Sequence, residues 1–433
     1  MEPGQLALIT LQTGEGYHIF MMDSRRTRYF GLVSESAVKR GVAAIFKSLG
    51  ASKNFASTDV LATDQWKEVV AEFQTNLLED IDATQIAATK ELIIIPDGLF
   101  WYLPWESFFT DLEAQETTFG DTMSIRYCPT LSLAFAKPRA VDRLGQTGLV
   151  AGAMYPKTDN AVTTSYVDQF VKDVPDSIAI PENVIFPSNH SVFQLDQLVT
   201  FQAEKVRVKP YDIKPLAVDT ARFGTTLFDW MKLPAWGPET IVLPGLNSIG
   251  GGSSKADGSD LFLTTTALLA SGSRAALVPR WNTGGQMQVE LAGRFAKHSR
   301  SMSLNDALKT SIGEVKQLEV DYGKEPRIDV EKGAAPITGA SPFFWANQIL
   351  VALPEPPIAA RVASNDPPEG VKPAVSEEPG VVEVVPTAGS STKEKDPVTE
   401  EQPAKVEVVR ADEEEDEDDD DEGAVWSIGG KKK

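Results

Sequence analysis

The chain has 433 residues, with 62 Asp and Glu against 41 Lys and Arg and a formal net charge of −21. Residues 354–433 hold 22 acidic and 9 basic side chains, a net −13, which leaves only −8 on residues 1–353 and argues against a nucleic-acid groove in the body. No run of about 18 apolar residues predicts a membrane span, no basic-flanked apolar leader predicts a secretory signal, and a single cysteine, Cys128, rules out an intramolecular disulfide and fits a reducing, cytoplasmic compartment.

In chain order, Leu6–Gln12, Tyr17–Met22 and Thr27–Leu32 are short apolar runs broken by Thr13-Gly14-Glu15-Gly16 and Asp23-Ser24-Arg25-Arg26, which predicts an antiparallel hairpin or meander. Val38, Val42, Ile45, Phe46 and Leu49 mark one helix face, with Ser34 or Ser36 as cap and Gly50 as terminator. A second amphipathic helix after Thr63 turns Trp66, Val69, Val70, Phe73 and Leu77 inward. Buried strands are predicted over 91–96, 148–153, 197–203, 239–244 and 275–280, alternating with helices near Thr164–Lys172, Asp219–Leu233, Gln286–His298 and Leu304–Leu318. Strands that read as continuous apolar runs belong to a parallel sheet buried on both faces.

The chain is organised around residues 239–282. An apolar run ends in Gly245-Leu246-Asn247-Ser248, a Gly-rich loop and an apolar helix follow, and a second apolar run ends in Arg280-Trp281-Asn282. In open α/β sheets the chemistry sits just beyond the carboxyl ends of the strands, so these two strand ends are the places to look for a site.

Several segments together resemble the CHAT domain, a caspase-like module of the clan CD peptidases. Pro96-Asp97-Gly98 with Leu103-Pro104-Trp105-Glu106 is similar to the opening strand of that family. Ser124–Tyr127 with Pro129-Thr130-Leu131-Ser132 is similar to the segment that follows, and Ser341-Pro342-Phe343-Phe344-Trp345-Ala346 to the closing one. Pro244–Ser248 stands where the family carries its nucleophilic cysteine, and Ser271–Arg274 with Pro279-Arg280-Trp281 where it carries the next strand. The resemblance runs from Leu6 to Leu353 and implies a mostly parallel central sheet with helices on both faces. It divides the chain into an N-terminal hairpin and helical part (1–90), a caspase-like α/β core (91–353) and a Pro/Glu-rich, acidic, disordered tail (354–433).

A cysteine peptidase needs a thiolate, a histidine to take its proton, and N–H donors for the oxyanion. The resemblance places Leu246 at the cysteine position and Glu204, in Thr200-Phe201-Gln202-Ala203-Glu204-Lys205, at the histidine position. Neither supplies the chemistry, so the expectation is a non-catalytic binding or scaffold module. Its degenerate site comprises Glu204, Gly245, Leu246, Asn247 and Ser248, and its candidate groove is lined by Asp97, Arg280, Trp281 and Asn282. The alternative is an active cysteine endopeptidase with a displaced catalytic pair, for which Cys128 is the one thiol on offer.

No cofactor or metal is expected. His18, His190 and His298 lack metal-ligand spacing with each other or with Cys128, and Gly250–Lys255 lacks the spacing of a phosphate-binding loop. The tail cannot bury enough apolar surface to offset its chain entropy. Its acidic run Asp412–Glu422 and the neighbouring Val425, Trp426 and Ile428 form a candidate anchor. The expected partner is a protein or peptide, basic where the tail is the contact, with no role for nucleic acid or membrane; the sequence does not set the oligomeric state.

Overall fold

The computed structural model describes residues 1–52, 55–78, 83–138, 146–152, 154–155, 160–174, 176–180, 195–201, 204–205, 238–248, 256–281 and 283–356. All of them fall in the compact unit Met1–Asp366. The helix expected over 219–233, the groove residue Asn282, and the tail with Val425, Trp426 and Ile428 lie outside the described residues.

Fifteen strands are formed among the described residues: β1 Gln5–Thr13, β2 Gly16–Met22, β3 Thr27–Val33, β4 Ala56–Ser57, β5 Glu91–Ile95, β6 Ser124–Tyr127, β7 Thr147–Ala151, β8 Ser177–Ile180, β9 Gln197–Phe201, β10 Glu204–Lys205, β11 Thr240–Val242, β12 Leu246–Asn247, β13 Ala275–Pro279, β14 Ile328–Asp329 and β15 Gln348–Ala352. Eleven of them make one sheet in the order β3-β2-β1-β5-β6-β15-β13-β11-β9-β7-β8. The N-terminal meander is antiparallel, and β1 also pairs parallel with β5, Ala7 opposite Ile93, so the meander forms one edge of the main sheet. β7, β9, β11 and β13 are parallel neighbours, and β15 runs antiparallel to β13. β8, which the apolar pattern left unassigned, pairs parallel with β7 as the opposite edge.

The longer helices are α1 Glu35–Ser48, α2 Gln65–Leu78, α3 Asn160–Asp173, α4 Ser259–Ala270, α5 Gln286–His298 and α6 Leu304–Val315. Ser34 caps α1 by accepting the Ala37 N–H at 3.2 Å, and Ser303 caps α6 by accepting that of Asp306 at 3.1 Å. The faces read from the sequence are the buried ones: Val38, Val42, Ile45 and Phe46 on α1, and Trp66, Val70, Phe73 and Leu77 on α2.

β5 explains why the sheet reads as continuous apolar runs. Leu92 and Ile94 join the large core shared with α1, α2, α4, α5 and α6, whereas Ile93 and Ile95 join a smaller cluster with Ala7, Cys128 and Ala134. Alternate side chains point to opposite faces, and here both faces are covered. The smaller cluster thins towards the meander, where Ile9 and Met22 are half-buried and Leu11 and Tyr29 are exposed.

Candidate functional site

The parallel ladder of β11 on β13 does not stop at Val242. Leu243 continues it by donating its N–H to the Leu277 carbonyl at 2.9 Å, and the chain turns at Pro244-Gly245 with the Leu246 N–H bonded back to the Leu243 carbonyl at 3.1 Å. β10 and β12 then form a short parallel ladder of their own, with Glu204 opposite Leu246 and Lys205 opposite Asn247. The two positions singled out in the sequence are therefore register partners on neighbouring strands, just beyond the carboxyl ends of β9 and β11. Leu246 is buried at 1 % exposure, and Gly245 is buried beside it.

Two side chains, Gln288 and Ser248, fix the turn. Gln288, in the first turn of α5, accepts the backbone N–H of Thr283 at 2.9 Å, that of Gly284 at 2.6 Å and the Thr283 hydroxyl at 2.9 Å through its Oε1. Its Nε2 donates to the Pro244 carbonyl, so one fully buried side chain ties the Leu246 turn to the loop after β13. Ser248 donates its hydroxyl to the Arg280 carbonyl. Sequence reasoning named Ser248 but missed Gln288; its only trace is a glutamine three residues past Gly285, a weak sign in a polar helix start.

Arg280 and Trp281, expected to line a groove, have no open surface. Arg280 is fully buried: Nη2 lies 2.9 Å from Glu106 Oε2 and also donates to the Tyr127 hydroxyl, and Nη1 donates to the Ala346 carbonyl at 2.6 Å. Burial pushes the Glu106 carboxyl up from its ordinary value and Arg280 opposes this; burial likewise raises the Tyr127 phenol well above its usual range. Trp281 donates its indole N–H to the Phe343 carbonyl at 3.0 Å and meets Phe46 edge-on at 5.2 Å. These two residues join the ends of β13, β6 and β15 and the 104–107 turn under the site.

Asp97 remains half-exposed. Its Oδ2 accepts the Gln12 N–H at 2.8 Å, and its own N–H donates to the Thr10 hydroxyl at 2.8 Å. The adjacent Gly98, at φ +55°, carries its carbonyl against Gly258, at φ +79°, where any Cβ would collide with it. Tyr102 secures the same contact by donating to Asp260 Oδ1 at 2.5 Å and accepting the Gly258 N–H at 3.2 Å. Burial, with Asp260 adding to it, raises the Tyr102 phenol far above its usual range. The loop after β5 and the loop entering α4 thus meet at the end of the sheet that holds Leu246, while a cleft of about 490 Å³ lies at the other end of β5, beside Glu91, Arg126 and Asn305.

Cys128 is fully buried in the smaller cluster, its N–H bonded to the Ile94 carbonyl at 2.9 Å, and burial pushes its thiol up to about 11. Among the described residues no group of three or more His, Cys, Asp or Glu could hold a metal ion, and no helix is long and apolar enough to cross a membrane.

No family model matches the sequence, and no curated protein matches it. Among solved structures, the chain is similar to chains of two crystal structures of the Saccharomyces cerevisiae separase-securin complex. In the structure at 3.0 Å the TM-score is 0.45 at 9% identity, over 82% of this chain and 30% of that one. In the structure at 2.6 Å the TM-score is 0.36 at 10% identity, over 75% of this chain and 23% of that one. At these values neither assigns the chain to a family, and the chain spans less than a third of the length of each match.

Proposed function

We propose that this protein carries a caspase-like module that has lost hydrolytic chemistry and acts as a binding or scaffold module for a protein or peptide. The observation that carries the reading is the register of β10 on β12. A nucleophile and its base must come within hydrogen-bond reach, and the two positions that the sequence resemblance assigns to them, Leu246 and Glu204, are direct partners. A leucine there offers no nucleophilic atom and no proton for a base to take. Cys128 favours no displaced mechanism, because a buried thiol held near 11 is a poor nucleophile at neutral pH.

The test compares the wild-type chain with its Leu246→Cys, Glu204→His variant on a broad mixture of unstructured peptides, read by mass spectrometry and by capture on immobilised protein. The reading predicts that the wild type retains peptides without cleaving any. Any cleavage by the wild type would overturn it, and loss of that cleavage in Cys128→Ser would assign it to the displaced thiol. New cleavage by the double variant supports the assignment of the two positions independently of what the wild type binds.

A further inference from the structure

The meander ends in an open edge. β3 pairs only with β2 among the described residues, so one side of a seven-residue strand carries unpaired backbone donors and acceptors. Sheet edges are commonly blunted by charge, proline or burial, because an open one recruits further strands. Here the blunting is one-sided. Arg25, Arg26 and Arg28 crowd the start of the strand, whereas its remainder, Tyr-Phe-Gly-Leu-Val, holds no charge at all. Tyr29 is 54 % exposed and Leu32 40 %, and Leu11 two strands away is 50 % exposed.

These residues form a continuous surface. The Tyr29 ring lies 5.2 Å from that of Phe20 at a tilt of 42° and Tyr29 hydrogen-bonds His18 at 3.0 Å, and His18 lies opposite both Leu11 on β1 and Leu32 on β3. The charge beside it is not cancelled locally. Asp23 is occupied with the turn, accepting the backbone N–H groups of Arg25 at 2.7 Å and Arg26 at 2.9 Å, and only Arg26 comes within 4.0 Å of its carboxylate. In a chain with a net charge of −21, three arginines within four residues at an open edge form a distinct basic patch.

We propose that β3 is a strand-addition site for an extended acidic segment of a partner protein, whose carboxylates meet Arg25, Arg26 and Arg28 while its apolar side chains pack on Tyr29, Leu32 and Leu11. Main-chain bonds to an edge give affinity and alternate side chains give specificity in this mode, and the arginines set which end of the partner lies where. A second copy of this chain fits less well, since near its own β3 it offers only Glu35 and Asp23, the latter already held by its own turn, to three arginines.

The probe is a fluorescein-labelled peptide of about ten residues, three glutamates followed by alternating Val and Thr, titrated with the full-length protein by fluorescence anisotropy. The expected result is saturable binding that weakens about tenfold or more when the glutamates become alanine, and by a similar factor in the Arg25→Glu, Arg26→Glu, Arg28→Glu variant. N-methylation of alternate peptide amides should abolish it while leaving the charge intact. Hydrogen exchange should slow at Thr27–Val33. Absence of binding, equal binding of the N-methylated peptide, or protection elsewhere overturns the proposal. So does a full-length dimer in sedimentation that Tyr29→Glu dissolves, which would assign the edge to a second copy.

Discussion

The buried pair of Arg280 and Glu106 sets a measurable energetic signature beneath the candidate site. Arg280 is 0 % exposed and the Glu106 side chain 3 %, with 2.9 Å between Nη2 and Oε2. Glu106→Leu leaves the guanidinium in a low-dielectric interior with no carboxylate, held by the Ala346 carbonyl, the more distant Gln348 carbonyl at 3.5 Å and the Tyr127 hydroxyl. Breaking one side of a buried pair destabilises by about 3–5 kcal/mol, whereas replacing both partners with apolar residues of similar volume is often neutral or stabilising. Arg280 Nε is already buried without a partner, so the native arrangement is itself incompletely satisfied. Glu106→Leu should therefore lower the urea midpoint by about 1 M or more, at a slope of roughly 3 kcal/mol per M. Glu106→Leu with Arg280→Met should recover most of that loss. A single variant within about 1 kcal/mol of wild type, or a double variant as unstable as the single one, would refute this account of how the strand ends are joined.

Four further outcomes follow from the same geometry. A thiol reagent at neutral pH should modify Cys128 slowly in the folded protein and rapidly in urea, because its thiol is buried and held near 11; fast folded-state labelling would revive a displaced nucleophile. Gly258→Ala should destabilise by about 1 kcal/mol or more in a urea titration, since φ is +79° and the new methyl meets the Gly98 carbonyl. Gln288→Ala should lose about 1–3 kcal/mol, because it leaves the buried Thr283 and Gly284 N–H groups and the Pro244 carbonyl without their partner. Glu325 is buried against the start of α5, accepting the Met287 N–H at 2.8 Å, and burial raises its carboxyl from 4.5 to about 8. The folded state then holds a proton that the unfolded chain releases. Stability from this group should be full below pH 4.5 and decline as pH rises towards 8, by about 1.4 kcal/mol per unit. Glu325→Gln should flatten that slope in thermal melts at stepped pH.

The elements of this fold were legible where burial is two-sided. Apolar runs such as Leu92–Ile95 and Ala275–Val278 can be read directly because both of their faces are covered. Sheet order was not legible, since no local pattern reports that β1 lies beside β5 or that β15 lies between β13 and β6. At the site, family-like motifs single out Glu204 and Leu246 separately, and that the two are register partners on neighbouring strands is legible only in the fold. Arg280 and Trp281 are marked as groove residues in the sequence by their place at the carboxyl end of a strand, with the family resemblance. Their burial depends on partners far away in sequence, Glu106, Tyr127 and Phe343, which no local spacing reveals. Gln288 was missed for the same reason: its three acceptor contacts are local, but its bond to Pro244 spans 44 residues.

The central proposal is that the register partners Glu204 and Leu246 mark a site that binds and does not cut. Its most direct test is the pH profile of iodoacetamide alkylation of Leu246→Cys, in a Cys128→Ser background, with Glu204 intact and with Glu204→His. A neighbouring carboxylate disfavours a thiolate and a neighbouring imidazolium favours it. The account predicts an introduced thiol that titrates above about 8.5 beside Glu204 and well below that value beside the histidine. The same profile in both backgrounds would separate the two positions and contradict the account.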